Sequence, residues 1–201
     1  MFSVVVLAAG GSRRMGFHKL LKHLWGRPLI SWSVESAVAS GCDEVVVVVG
    51  NEAERVVETL PEGVKYVVNE DWAEGVASSI RRGVESLSPC SEAVVVMVAD
   101  QPLTAPVIPS LLARLVLQGK YLLAFASVEG DPRSPGAFHR SLFQELLKLE
   151  GDKGAKSLYA PYRDRAALLE VPEEMLVDVD TPEELENLSR RGPPSWMKGI
   201  A

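Results

Sequence analysis

The residues best equipped for chemistry fall into two groups that lie far apart along the chain. The first is the run Leu7-Ala8-Ala9-Gly10-Gly11-Ser12-Arg13-Arg14-Met15-Gly16-Phe17-His18-Lys19. Its glycines let the backbone approach a ligand closely and adopt positive φ, and successive N–H groups of such a turn can line a nest for phosphate oxygens. Arg13, Arg14 and Lys19 add cations in or just after the turn. Arginine grips phosphate through paired N–H groups, whereas lysine acts as a point charge. The second group is acidic: Asp100, just before Gln101-Pro102, and Asp178 and Asp180 in Asp178-Val179-Asp180-Thr181-Pro182. Carboxylate oxygens suit Mg²⁺, which takes one or two carboxylates together with substrate phosphates. Two aspartates at i and i+2 on a strand also share a face. Plainer readings stand beside these: a tight surface turn with solvated charges, a turn cap ahead of Pro102, and a helix cap at Asp180 or Thr181. Thr181 with Glu184 three residues on already makes a capping box, so Asp180 is not needed there. The glycine spacing fits neither GxxxxGK[ST] nor GxGxxG, which argues against a P-loop kinase and a dinucleotide-binding dehydrogenase.

These residues need elements to bring them together. Apolar runs at 3–9, 44–49, 65–68, 93–99, 122–126, 167–171 and 176–179 read as strands. Helical spacing covers 28–40, 52–60, 72–87, 105–117, 141–149, 153–158 and 182–188, and Gly130 to Arg133 reads as a loop. Strands alternating with helices predict an α/β fold with a mostly parallel sheet, whose ligands bind at the carboxyl ends of the strands. Ala9-Gly10 and Asp100 each end a predicted buried strand, so both should open onto one crevice. Residues 1–190 are expected to form a single domain. Residues 191–201 form a tail expected to fray, with Trp196 and Ile200 as the side chains able to dock it.

Composition narrows the class. The chain has 201 residues, 47% hydrophobic and 24% charged, with a formal net charge of −6. That balance argues against a broad nucleic-acid surface, which needs clustered Lys and Arg. No apolar run approaches a membrane span. The apolar start runs straight into Gly10, Gly11, Arg13 and Arg14 with no cleavage pattern, so the expectation is a cytoplasmic protein. Cys42 and Cys90 then read as free, buried thiols. His18, His23 and His139 are scattered, and none is expected to bind metal.

The string LAAGGSRRMGFHK resembles the LAAGxSxRMGxxK signature of the NTP-transferase family, and the likeness extends over about residues 3–188. It implies a Rossmann-like, three-layer α/β sandwich with a mostly parallel mixed sheet, of the nucleotide-diphospho-sugar transferase type. It implies a nucleotide site along Leu7, Ala8, Ala9, Gly10, Gly11 and Ser12, with Ala8, Ala9 and Gly10 facing base and ribose. Arg14 and Lys19 would grip the triphosphate as catalytic residues, and Asp100 and Asp180 would hold Mg²⁺. The role of Asp178 stays open.

Asn69-Glu-Asp-Trp-Ala-Glu-Gly75-Val-Ala-Ser78-Ser79-Ile is similar to VNxDWAEGMSSSL of the molybdenum cofactor cytidylyltransferase branch. Asn69, Ser78 and Ser79 are candidate base readers from their chemistry, with ordinary capping as the plain reading; the resemblance carries over Gly75 and Ser79. Residues 130–138 resemble GxRGHPVLF, which implies Arg133 and Pro135 on the acceptor side. Ser134 stands where that branch has His. Residues 151–155 match GDxGAR with Lys156 in the Arg place; Lys153 and Lys156 are solvated lysines in the plain reading and acceptor-phosphate contacts in the other. The implied activity is transfer of CMP from CTP to the molybdopterin cofactor with release of pyrophosphate. A handover partner from molybdoenzyme maturation goes with that reading. The alternatives are a guanylyltransferase, a transferase for another small phosphorylated acceptor, and a non-catalytic nucleotide-binding regulatory domain. The last does not need two carboxylates.

Overall fold

Val4, Val5 and Val6 are fully inaccessible, as are Val46 to Val49 and Ala93 to Val95. Runs buried on both faces belong to inner strands of a sheet covered on each side. The computed structural model describes residues 1–10 and 18–199. In chain order the elements are β1 (Phe2–Ala8), a 3₁₀ turn at Lys19–Leu21, β2 (His23–Leu24), β3 (Arg27–Pro28), α1 (Leu29–Ala39), β4 (Glu44–Val49), α2 (Ala53–Val57) and β5 (Lys65–Val68). There follow α3 (Val76–Glu85), β6 (Ala93–Val98), α4 (Val107–Leu117), β7 (Leu123–Val128), β8 (Asp131–His139), α5 (Phe143–Leu147), β9 (Ala166–Glu170) and α6 (Pro182–Arg191).

Among the described residues the strands make a seven-stranded sheet in the order β5-β4-β1-β6-β8-β7-β9, with β2 and β3 as a separate ribbon. Within the seven-stranded sheet β8 runs antiparallel to both neighbours, β6 and β7, and the other ladders are parallel; the β2–β3 ribbon is antiparallel. One apolar layer gathers Leu29, Ile30 and Val34 of α1 with Ile108 and Leu112 of α4. The opposite layer gathers Ile80 and Val84 of α3 with Leu146 of α5, Phe125 and Phe138. This is the expected three-layer α/β sandwich on a mostly parallel mixed sheet.

Several elements depart from the sequence reading. Of the predicted loop at 130–133, Gly130 stays in a turn and Asp131 to Arg133 start β8. Its prolines and Gly136 disguise a strand, yet a sheet position between β6 and β7 buries Pro135 to Phe138. Gly136 is required there, because a Cβ would sit 2.7 Å from Phe125 Cδ1. The predicted strand at 176–179 finds no ladder partner; a 3₁₀ turn at Glu173–Leu176 and an extended segment replace it. The helix expected over 72–87 breaks at Gly75, whose φ is +118°. Both cysteines are free, but Cys42 is only half-buried and Cys90 is exposed in the turn ahead of β6, correcting the expectation that both are buried. The tail does not simply fray: Met197 is buried in the α1–α4 layer and Trp196 packs against it, while Ile200 lies outside the described residues.

Gly50, just past β4, shows how tightly the carboxyl edge is packed. A Cβ there would lie 2.8 Å from Ala9 Cβ, 2.8 Å from Trp72 Cβ and 2.9 Å from the Ala9 carbonyl oxygen. These atoms cannot swing away, since each belongs to backbone or to its first side-chain carbon. Gly50→Ala is therefore expected to destabilise the protein by about 1–3 kcal/mol, the usual cost of overpacking. Urea unfolding of the variant against the parent checks this, and an unchanged midpoint would show that the edge can relax.

Candidate active site

Neighbouring strand ends assemble the site. Leu7 of β1 lies opposite Val98 of β6, and the Ala99 N–H donates to the Leu7 carbonyl at 3.0 Å. The chain thus leaves β6 beside Ala9-Gly10, and Asp100 stands at the carboxyl edge, as its position in the sequence predicts. Two buried serines of α1, at one-turn spacing, hold the turn that follows. Ser33 Oγ lies 3.0 Å from the Ala99 carbonyl oxygen, and Ser36 Oγ donates to the Thr104 carbonyl at 2.6 Å. The sequence reading missed both serines; the available signal was a pair of hydroxyls on the buried face of a helix.

The second acidic segment is pinned to the same turn. The Val179 N–H donates to the Asp100 carbonyl at 3.0 Å, and Val179 is fully buried. Asp178 and Asp180 flank that anchor. The predicted capping box opens α6: Thr181 Oγ1 accepts from the Glu184 N–H at 3.2 Å, and Glu184 Oε2 accepts from the Thr181 N–H at 2.8 Å. The cap makes no use of the Asp180 carboxylate.

Lys19 joins the two segments. Its Nζ lies 2.6 Å from Asp100 Oδ2 and 2.7 Å from Asp180 Oδ1. The side chains of Lys19 and Asp100 are 13% and 22% exposed, so water screens this contact less than an ordinary surface pair. Burial alone would lower the Lys19 pKa, but the charges and hydrogen bonds of Asp100 and then Asp180 outweigh it and hold the ammonium above its ordinary value. Asp178 feels the opposite balance. Burial, followed by the Asp100 charge, pushes its carboxyl from 3.8 up to about 6, against the opposing pull of a Gln101 hydrogen bond and Lys19.

The arrangement suits a hard divalent cation. Asp100 Oδ1 is a buried oxygen without a hydrogen-bond partner, an unusual and costly state for a carboxylate. Among the described residues no group of three His, Cys, Asp or Glu side chains converges on one point. A cation held by Asp100 and Asp180 would need oxygens from elsewhere, as Mg²⁺ commonly takes them from substrate phosphates and water.

The other expected site residues divide by position. Ala8 and Ala9 are buried at the end of β1, Leu7 is half-buried, and Gly10 is exposed. Gly11, Ser12 and Arg14 lie outside the described residues. Asn69 is buried, and its Nδ2 donates to Ser78 Oγ at 2.9 Å and Ser79 Oγ at 3.0 Å, tying the end of β5 to α3. Gly75 permits a close crossing: a Cβ there would strike the Gly151 carbonyl, and the Ala77 N–H donates to that carbonyl at 3.0 Å. The segment expected to read the base is thereby fastened to the segment expected near the acceptor. Arg133 is exposed at the start of β8, with its Nε 2.9 Å from Asp131 Oδ2. Asp131 Oδ1 also meets Lys156 Nζ at 2.9 Å. Pro135 is buried inside β8. His18 is buried as well, and its Nε2 lies 3.0 Å from the Asn51 carbonyl oxygen.

An α/β sandwich with a lysine and carboxylates meeting at the carboxyl edge, beside a glycine-rich strand end, defines a protein of the nucleotidyltransferase class. The chain belongs to the MobA-like NTP transferase domain family, which matches residues 4–167. It is 32% identical over 154 residues to the bifunctional protein GlmU of Thermoanaerobacter pseudethanolicus, covering 75% of this chain and 33% of GlmU, so it spans only about a third of that relative's length. It is 32% identical over 197 residues to the purine catabolism protein PucB of Bacillus subtilis, covering 92% of this chain and 95% of PucB. The crystal structure of Rv0371c from Mycobacterium tuberculosis superposes with a TM-score of 0.83 at 29% identity, covering 94% of this chain and 97% of Rv0371c. A manganese complex of Rv0371c superposes with a TM-score of 0.77 at 27% identity, with the same coverage.

The raised pKa of Asp178 predicts a pH dependence. A carboxyl that holds its proton more tightly when folded costs nothing while both states are protonated. Stability then falls as pH rises from about 3.8, where the unfolded chain ionises, through about 6. Denaturation of the EDTA-treated protein across this range should show Asp178→Asn gaining on the parent as pH rises, with the gap levelling off above about 6. A gap independent of pH would mean that Asp178 ionises normally.

Proposed function

We propose that the chain is a Mg²⁺-dependent cytidylyltransferase that moves CMP from CTP to a small phosphorylated acceptor, the molybdopterin cofactor, and releases pyrophosphate. The observation that carries this reading is the meeting of Lys19 Nζ with Asp100 at 2.6 Å and Asp180 at 2.7 Å, at the strand ends near Ala9-Gly10.

In the reaction an acceptor phosphate oxygen attacks the α-phosphorus in line, the bond to the bridging oxygen of the β-phosphate breaks, and pyrophosphate leaves with that electron pair. Little covalent work falls to the protein. Lys19 and Arg14 offer cations to the triphosphate oxygens, and Asp100 and Asp180 would hold Mg²⁺. When bound, the metal supplies neutralisation of charge on the reacting phosphates. The manganese complex of the Mycobacterium tuberculosis relative supports a divalent cation in this fold. Preference for CTP rests on the likeness of residues 69–80 to the cytidylyltransferase branch, with Gly75 and Ser79 on the base side. Arg133 and Pro135 belong to the acceptor side.

Pyrophosphate release measured with each of the four NTPs, with and without molybdopterin, tests the proposal. CTP with molybdopterin is expected to give the highest rate, and loss of one charge-stabilising group through Lys19→Ala or Asp100→Asn should cost about 10²–10³-fold in kcat. Circular dichroism of each variant verifies that the fold persists. Equal rates with and without molybdopterin would reject the acceptor, GTP preference would reject the base, and full activity of Asp100→Asn would reject the site.

A further inference from the structure

Resting on the reading of Asp100 and Asp180 as metal ligands, we infer that this pair takes up a divalent cation as a metal–polyphosphate complex and is closed to the free ion by Lys19. The geometry is that of occupied ground. Lys19 Nζ sits 2.6 Å from an oxygen of Asp100 and 2.7 Å from an oxygen of Asp180, the position from which a cation would bridge the two carboxylates. Of the two Asp100 oxygens, Oδ2 is engaged by the ammonium and Oδ1 is buried. A metal at roughly 2.0–2.1 Å from these oxygens cannot share the space with the ammonium. Entry therefore requires Lys19 to leave.

A free ion gives Lys19 nothing in exchange. The ammonium would lose two charge-assisted hydrogen bonds, each stronger than a neutral one, and Mg²⁺ would also have to shed tightly held water. A metal–polyphosphate changes both terms at once: the metal satisfies the carboxylates, and phosphate oxygens receive the displaced ammonium. The lysine thus changes partners from carboxylate to phosphate, and metal and polyphosphate promote one another's binding. By linkage the coupling is the same in either direction.

The test uses the full chain stripped of metal, with Mn²⁺ binding followed by electron paramagnetic resonance in the absence of nucleotide. Lys19→Met is expected to bind Mn²⁺ at least about tenfold tighter than the parent, a coupling in the ordinary range between linked sites. Equal or weaker binding by the variant overturns the inference. The double variant Lys19→Met/Asp100→Asn should lose that tight binding; if it keeps it, the ion lies elsewhere and the metal-site reading itself falls. Because Lys19→Met removes the ammonium that bridges Asp100 and Asp180 and can compromise folding, crystals of the parent soaked in Mn²⁺ provide an independent measurement. Anomalous signal between Asp100 and Asp180 is expected only with tripolyphosphate present and Lys19 Nζ displaced. Signal there without tripolyphosphate overturns the inference.

Discussion

One ammonium shared by two carboxylates holds this site together. Lys19 and Asp180 are separated by 161 positions, and the Lys19 bridge joins the segment after β1 to the segment before α6 across the end of β6. Three carboxyl groups crowd the same edge, and the burial and Asp100 charge that raise the Asp178 pKa reveal the repulsion that Lys19 partly relieves. A partly buried ion pair of this kind is weak evidence for net stability, since desolvation offsets much of the attraction. Its value lies in position: it keeps a cation and two acidic side chains within one hydrogen-bond length of each other.

The sheet makes that convergence possible. β1 lies between β4 and β6, so their carboxyl ends deliver Gly50, Ala9 and Asp100 to neighbouring points about one strand spacing apart. β8 enters from the same edge because it runs antiparallel, bringing Asp131 and Arg133 alongside. Close packing beneath fixes the backbone: Ser33 and Ser36 tie the Asp100 turn to α1, and Asn69 ties β5 to α3. The chemistry therefore rests on elements that have little freedom to shift, which is what positioning a metal–polyphosphate requires.

Much of this was legible in the sequence, for identifiable reasons. Continuous β-branched runs such as Val45 to Val49 and Val94 to Val96 can hardly be anything but buried strands, and they located Asp100. The capping box at Thr181 and Glu184 was readable residue by residue. What escaped depended on partners distant in sequence. β8 carries two prolines and a glycine that local propensity assigns to a loop, and only its place between β6 and β7 makes it a strand. Residues 176–179 have strand-like chemistry but meet no ladder. The bridge from Lys19 to both carboxylates could be expected only as common membership of a crevice, because no local pattern reveals that two side chains 161 positions apart will touch.

A double-mutant cycle between Lys19 and Asp100, read as unfolding free energy of the metal-free protein, tests the central contact most directly. Lys19→Met, Asp100→Asn and the double variant are compared with the parent. A direct contact predicts non-additivity on the order of 0.5–3 kcal/mol, the range seen for residues in one ion-pair network. Additivity within about 0.5 kcal/mol would mean that the two side chains do not interact, and the account built on their meeting would fail.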